Sequence, residues 1–383
     1  MLQRMLAHIW LVLALSLLGP VLGLTPLSDE SLRNIPIAGS DFDIKTGSIL
    51  APILIPRVPG TPGSRQVQQH FVDWFATHLP KWSITYQNST GKTPATGDKQ
   101  VPFVNIIITR DPPWAKPGDV GRLALVAHYD SKLDPPGFIG AIDSAAPCAM
   151  IMHAARSVDE ALTKKWAAME AEGSHGLEEE KGLQILLLDG EEAFVSWSDT
   201  DSLYGARSLA DAWEYEFHPA LSTYQNPLDS ISLFVLLDLL GSARPKVPSY
   251  FKTTHWAYQH MALIESRMRT MGLLASASDA DHPFLPEYDK GPNAFHSTFG
   301  IQDDHLPFMA RGVEILHIIP SPFPQVWHTS NDDGEHLDMA TVEDWARILT
   351  AFVSEWMELD EHLDQTIGPG KAKRSVPTSK SEL

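Results

Sequence analysis

The sequence predicts an α/β sandwich, open-sided, with a mostly parallel mixed sheet between layers of helices. Three observations predict it. Short, predominantly apolar runs recur at Leu123–Ala127, Leu183–Leu188, Ser232–Leu237 and Val313–Ile319, as expected of strands buried on both faces. Segments of helical period lie between them, without internal repeats. Three of these runs stop at acidic or histidine residues and the fourth leads into a loop to His328, where an open sheet of this class forms its crevice.

The elements follow in order. Residues 24–62 are rich in Pro, Ser and Asp, have no sustained period, and read as an extended arm over the core. Ser64–Leu79 is an amphipathic helix, with Val67, Phe71, Trp74, Phe75 and Leu79 on one stripe. Trp82–Gln87 and Val101–Arg110 read as strands, with Asn88-Ser89-Thr90, an N-glycosylation sequon, between them. Pro102 suits a strand start or an edge. After Leu123–Ala127 a Pro/Gly-rich loop runs to Asp143, and Ser144–Leu162 is helical. Residues 163–181 form a charged segment ending in a loop before Leu183–Leu188. Ser202–Tyr215 is a helix. His255–Met271 is another, stopped by Gly272. Residues 275–312 are loop-rich, and a loop that long in a compact domain signals function. Thr341–Leu359 closes the domain with a core stripe through Trp345, Ile348, Leu349, Phe352, Val353, Trp356 and Met357, capped by Thr341 with Asp344.

Composition narrows the function. Of 383 residues 43% are hydrophobic and 20% charged, a globular balance, and no linker splits residues 24–365. The net charge of -19 argues against nucleic acid as a partner, because phosphate binding needs a basic face. Residues 1–23 read as a signal peptide, with Arg4, the apolar run Ile9–Leu18 and cleavage after Gly23. The run is too short for a membrane anchor and Gly19-Pro20 breaks it. Residues 366–383 read as a disordered tail with a dibasic pair, Lys373-Arg374, and a final KSEL resembling an ER-retrieval signal. The expected location is the secretory pathway, secreted or held in the ER/Golgi lumen. Cys148 is the single cysteine, so an intrachain disulfide is impossible.

The chemistry lies at the strand ends. An isolated Glu191-Glu192 pair would ordinarily be a charged turn. Here His128/Asp130, Asp238 and His328 end the neighbouring runs, and Asp143 opens a helix just after the first. Carboxylates and imidazoles without cysteine suit zinc, and a catalytic zinc keeps three protein ligands and one open position. Asp143, Glu192 and His328 meet that requirement, leaving Glu191 as a general acid or base.

These residues sit in runs that resemble the secreted glutaminyl-peptide cyclotransferases of the zinc-aminopeptidase-like fold. The likeness covers most of residues 64–360. It rests on AHYDS (127–131), GAIDSAAPCAM (140–150), LDGEEAFVSWSDTDSLYGARSLA (188–210), LLDLLG (236–241), GIQDDHLPFMARGV (300–313) and HIIPSPFPQVWHTSNDD (317–333). The resemblance implies one Zn2+ per chain on Asp143, Glu192 and His328, with Glu191 as catalytic acid/base. Asp238 and Asp303 match the carboxylates around it, Trp197, Gln302 and Trp327 match the pocket residues, and His128 is a polar neighbour. Secreted animal members carry a cysteine pair near the site. Here Cys148 matches one partner, and Ala127 stands at the other.

The implied substrate is a peptide or protein with N-terminal glutamine. With the side-chain carboxamide polarised by a Lewis acid, Glu191 takes a proton from the α-amine, the amine closes the ring, and the proton leaves with ammonia. No stable membrane anchor is expected, and the chain is taken as a monomer. A zinc aminopeptidase of the same fold remains an alternative, since His128, Asp143, Glu192, Asp238 and His328 could together hold two metals. So does a non-catalytic binding module.

Overall fold

The structure, a computed structural model, describes residues 24–174, 180–276, 282–295 and 300–363. The signal segment, the dibasic pair and the KSEL tail lie outside them. Six strands form one sheet in the order β1-β2-β4-β3-β5-β6. They are β1 (Ser83–Lys92), β2 (Gln100–Arg110), β3 (Val120–His128), β4 (Glu180–Leu188), β5 (Ile231–Leu237) and β6 (Ile315–Ile318). β1, β2 and β4 pair antiparallel, while β4, β3, β5 and β6 run parallel. The expected mostly parallel mixed sheet is therefore present, and the parallel strands all end on the same side.

Period-2 alternation divides the buried strand residues between two layers. Leu123, Leu125, Ala127, Leu183, Ile185, Leu187, Leu233, Val235 and Leu237 face the larger core. Helices α2 (Pro62–His78), α3 (Ala146–Glu172), α5 (His255–Thr270) and α7 (Met339–Trp356) fill that side, and the arm preceding them packs there through α1 (Asp29–Asn34). Ala124, Val126, Leu186, Leu188, Phe234 and Leu236 face the smaller core, under α4 (Tyr204–Glu214) and α6 (Leu306–Met309). The continuous apolar runs follow from this two-sided burial.

Four local expectations change. The arm is not simply extended: besides α1 it carries 3-10 turns at Gly39–Phe42 and Ala51–Ile53 and buries Leu32, Phe42, Leu50 and Ile53. Helix α3 runs on to Glu172, because Leu162, Trp166 and Met169 continue its stripe through the charged residues, and Gly173 ends it at φ 68°. The sequon lies inside β1, with exposed Asn88 opposite Val104, because β1 and β2 extend as one long hairpin. The cap of α7 is Asp338, whose carboxylate accepts from Thr341 N, while Asp344 accepts from Ala275 N and Ser276 N. Pro102 stands in β2 outside the stretch paired with β4, where no ladder bond is lost.

Candidate active site

The site is built where β3, β4, β5 and the segment after β6 end. Strand β4 leads into Asp189-Gly190, and the tightness of this turn depends on glycine. Gly190 has φ 75°, and a Cβ there would lie 2.4 Å from the Phe103 ring. Asp189, fully buried, accepts from Val104 N and receives support from Asn105, whose side-chain oxygen accepts from Asp189 N. On the other side, Asp130 accepts from the amides of Glu191 (3.1 Å) and Glu192 (3.2 Å). Leu203 N and Tyr204 N donate to the carbonyls of Glu191 and Gly190, so the start of α4 is tied to the same turn. Two adjacent acids are thus held on a fixed backbone.

Their side chains enter different surroundings. Glu192 Oε1 and Asp143 Oδ2 are buried without a hydrogen-bond partner, and His328 Nε2 lies 3.5 Å from each. Four-coordinate zinc with bonds of 2.0–2.1 Å spaces its ligand atoms about 3.3 Å apart. The three donors are near that spacing, and two of them are buried oxygens with no protein hydrogen-bond partner, free to ligate a cation. These residues therefore fit the metal. The second oxygen of Glu192 takes an ion pair with Lys132 at 3.2 Å. Trp327 stacks on the His328 ring, centroids 3.8 Å apart, and fixes its orientation. His328 itself has φ 57°, an uncommon backbone state for a non-glycine residue.

His128 fills the space behind Asp143, Glu192 and His328. Its Nε2 lies 3.0 Å from Asp143 Oδ1 and 3.5 Å from Asp238 Oδ1, and its Nδ1 lies 3.3 Å from Asp130. His128, Asp143 and Asp238 form a second group capable of holding a metal. One oxygen of Asp238 already accepts from Ser144 Oγ and from Leu239 N.

Electrostatics follow from burial. Desolvation, with repulsion from Glu192, Asp303 and Asp304, holds Glu191 well above the ordinary glutamate range, against the pull of His128. Glu192 is also raised, by desolvation and Asp143. Asp143 is buried, yet His128 and His328 hold it below its usual value. His328 loses solvation, but Asp143 and Glu192 carry it up to about 9.

A cavity of about 490 Å³ opens over the cluster. Asp143, Glu191, Glu192, Trp197, Asp238, Gln302, Trp327 and His328, eight of the nine residues singled out in the sequence, line it. Trp197 donates from Nε1 to Gln302 Oε1 at 2.6 Å, closing one wall, and Trp327 with Phe323 forms another. Asp303 is absent from the lining. It lies buried with its Oδ2 2.7 Å from His317 Nε2 and its Oδ1 accepting from Asp304 N. Sequence reasoning missed Lys132, Ser144, Phe323 and His317. Only His317 gave a signal, as the one ionisable side chain inside the apolar run of β6.

Cys148 is buried and free, with Sγ 3.3 Å from the His128 carbonyl, and burial pushes its thiol up to about 12.

The comparisons with known proteins agree with this geometry. The profile described as Peptidase family M28 matches residues 105–353. A glutaminyl-peptide cyclotransferase of Gloydius blomhoffii is 40% identical over 317 residues, 81% of this chain and 80% of that protein. One from Bos taurus is 36% identical over 337 residues, 87% of each. Among solved structures, Macrostomum lignano glutaminyl cyclase superposes with TM-score 0.71 at 28% identity, covering 88% of this chain and 95% of that one. A Zn-dependent exopeptidase from Parabacteroides distasonis, 18% identical, shares the fold with TM-score 0.54, covering 82% of this chain and 98% of that one. The chain belongs to the glutaminyl-peptide cyclotransferase family, built on the scaffold of Peptidase family M28.

Proposed function

We propose that the chain is an acyltransferase that cyclises the N-terminal glutamine of peptides and proteins to pyroglutamate, releasing ammonia, with one zinc per chain. The observation that carries this reading is the division of labour within Glu191-Glu192. One carboxylate turns an orphaned oxygen to Asp143 and His328, while its neighbour faces the cavity with a raised affinity for a proton. Asp143, Glu192 and His328 would hold the zinc, which when bound would supply Lewis-acid polarisation of the glutamine side-chain carbonyl.

The remaining chemistry falls to the protein's own groups. Glu191 removes a proton from the substrate α-amine. The nitrogen lone pair then attacks the carboxamide carbon of the same residue, forming a C–N bond and a five-membered ring. Breaking the bond to the amide nitrogen, with the proton returned by Glu191, releases ammonia. Asp238 lines the cavity beside Glu191, and buried Asp303 adds negative charge that keeps Glu191 proton-seeking. Trp197, Gln302 and Trp327 enclose the glutamine side chain and exclude the water that would convert transfer into hydrolysis. A single zinc is favoured over two because Ser144 and Leu239 N already occupy an oxygen of Asp238.

Residues 24–365 act as one catalytic domain, working as a monomer in the secretory pathway after removal of residues 1–23. The KSEL tail would favour retention in the ER/Golgi lumen. Exposed Asn88 is a suitable glycan acceptor. Among the described residues no helix is long and apolar enough to cross a membrane.

The role of each glutamate is testable by substitution. Glu191→Gln is expected to keep zinc and lose roughly a hundredfold or more in turnover. Glu192→Gln is expected to lose zinc first. The opposite pattern would exchange the two roles.

A further inference from the structure

A cation from the arm, Arg57, reaches the backbone of the loop that carries Asp143, far away in sequence. Arg57 is fully buried, and among the described residues no carboxylate lies within ion-pair distance of it. Its guanidinium spends its donors on main-chain carbonyls. Nε reaches the Tyr129 carbonyl, one residue beyond His128, and Nη1 reaches that of Ile139. Nη2 reaches Gly140 O at 2.9 Å and Asp143 O at 3.4 Å. Arg57 N also donates to Ser131 Oγ at 2.9 Å.

Asp332 meets the other polar groups of the same loop. Its Oδ1 accepts from Ile142 N at 2.8 Å and its main-chain oxygen from Ala141 N. Carbonyls on one side and amides on the other are thus both satisfied, and between them the carboxylate of Asp143 has a fixed origin. A buried guanidinium without a contacting counter-ion is costly. Desolvation lowers its proton affinity, and the charges of Asp130, Asp143 and Asp332 oppose that. Lysine could not serve equally, since its point-like ammonium has fewer donors than the planar fork.

We infer that Arg57 and Asp332 are positioning residues that set the affinity of the Asp143, Glu192 and His328 cluster for zinc by clamping the loop that carries Asp143. This rests on the zinc reading of that cluster and does not depend on which reaction follows.

The test is competition of the full-length chain against a fluorescent zinc chelator, with Co2+ absorption reporting ligand geometry. Arg57→Ala is expected to weaken zinc by about 10–100-fold, the usual effect of removing a group that orients a ligand. Added guanidinium ion is expected to recover part of that loss and shift the Co2+ spectrum back toward wild type. Arg57→Lys and Asp332→Asn should give smaller losses in the same direction. Affinity within about twofold of wild type in folded Arg57→Ala would overturn the clamp. So would a loss that guanidinium does not relieve. If Arg57→Ala does not fold, Arg57→Lys decides: unchanged affinity and an unchanged Co2+ spectrum reject the proposal. A wild-type chain that takes up no zinc also rejects it. Zinc affinity that depends on Arg57 in a chain inert toward Gln-initiated peptides would uphold the clamp and defeat the functional reading alone.

Discussion

Gly190→Ala probes the turn on which the two glutamates depend. At φ 75° an alanine enters the left-handed region, which costs about 1–2 kcal/mol. Its Cβ would stand 2.4 Å from Phe103 Cδ1, 2.6 Å from Cε1 and 3.2 Å from Tyr204 Cβ. Phe103 has little freedom to yield, since its ring stacks on Tyr204 at 4.6 Å with 6° between planes and meets Phe194 edge-on. Overpacking of this kind costs about 1–3 kcal/mol more. The expected loss of stability is therefore about 2–5 kcal/mol, read as a lowered urea midpoint with the slope unchanged. The strain should also move Glu191 and Glu192, whose amides Asp130 holds, and weaken zinc binding. A variant within about 0.5 kcal/mol of wild type, with zinc affinity intact, would refute the claim that the turn requires glycine.

Three further outcomes are expected. Burial holds His153 down to about 4 from an ordinary 6.5, against the pull of the Pro36 carbonyl. The folded state therefore keeps it neutral while the unfolded chain takes a proton, so stability is full above about pH 6.5 and falls as pH drops toward 4. The loss approaches about 3 kcal/mol, and His153→Gln should flatten that part of the acid-unfolding curve; an unchanged slope would contradict it. Cys148→Ser should retain zinc and activity, and native Cys148 should label with thiol reagents far more slowly than in urea; equal rates would show the thiol to be accessible. Trp327→Ala removes the ring stacked on His328 and should lower both zinc affinity and substrate capture, measured by chelator competition and KM, whereas a change in neither would deny it both roles.

Much of this was legible because two-sided burial writes itself as continuous apolar runs, and because acids and histidines at their ends have few other reasons to be there. Less was legible where a contact is long-range. Arg57 lay in an arm with no period, and its importance appears only once loops 129–131 and 139–143 converge on it. Asp303 was read as a carboxylate around Glu191, but its buried partner, His317 of β6, is a long-range neighbour that the sequence did not show. The length of α3 was hidden by its lysines and glutamates: Glu170 and Glu172 are exposed and Lys164 and Lys165 half-buried, while Trp166 is buried on the core side. The cap of α7 shows the same limit at short range. Thr341 with Asp344 was the expected cap, but Asp344 is taken by the amides of Ala275 and Ser276, and Asp338 caps the helix instead.

Acyl transfer within the N-terminal residue and hydrolysis of the first peptide bond leave different products. Purified, zinc-loaded chain is incubated with a Gln-initiated peptide and with the same peptide bearing N-terminal leucine. Stoichiometric ammonia and a blocked N-terminus are expected from the first, with the peptide chain intact, and no reaction with the second. Release of free glutamine or leucine would identify an aminopeptidase and contradict acyl transfer.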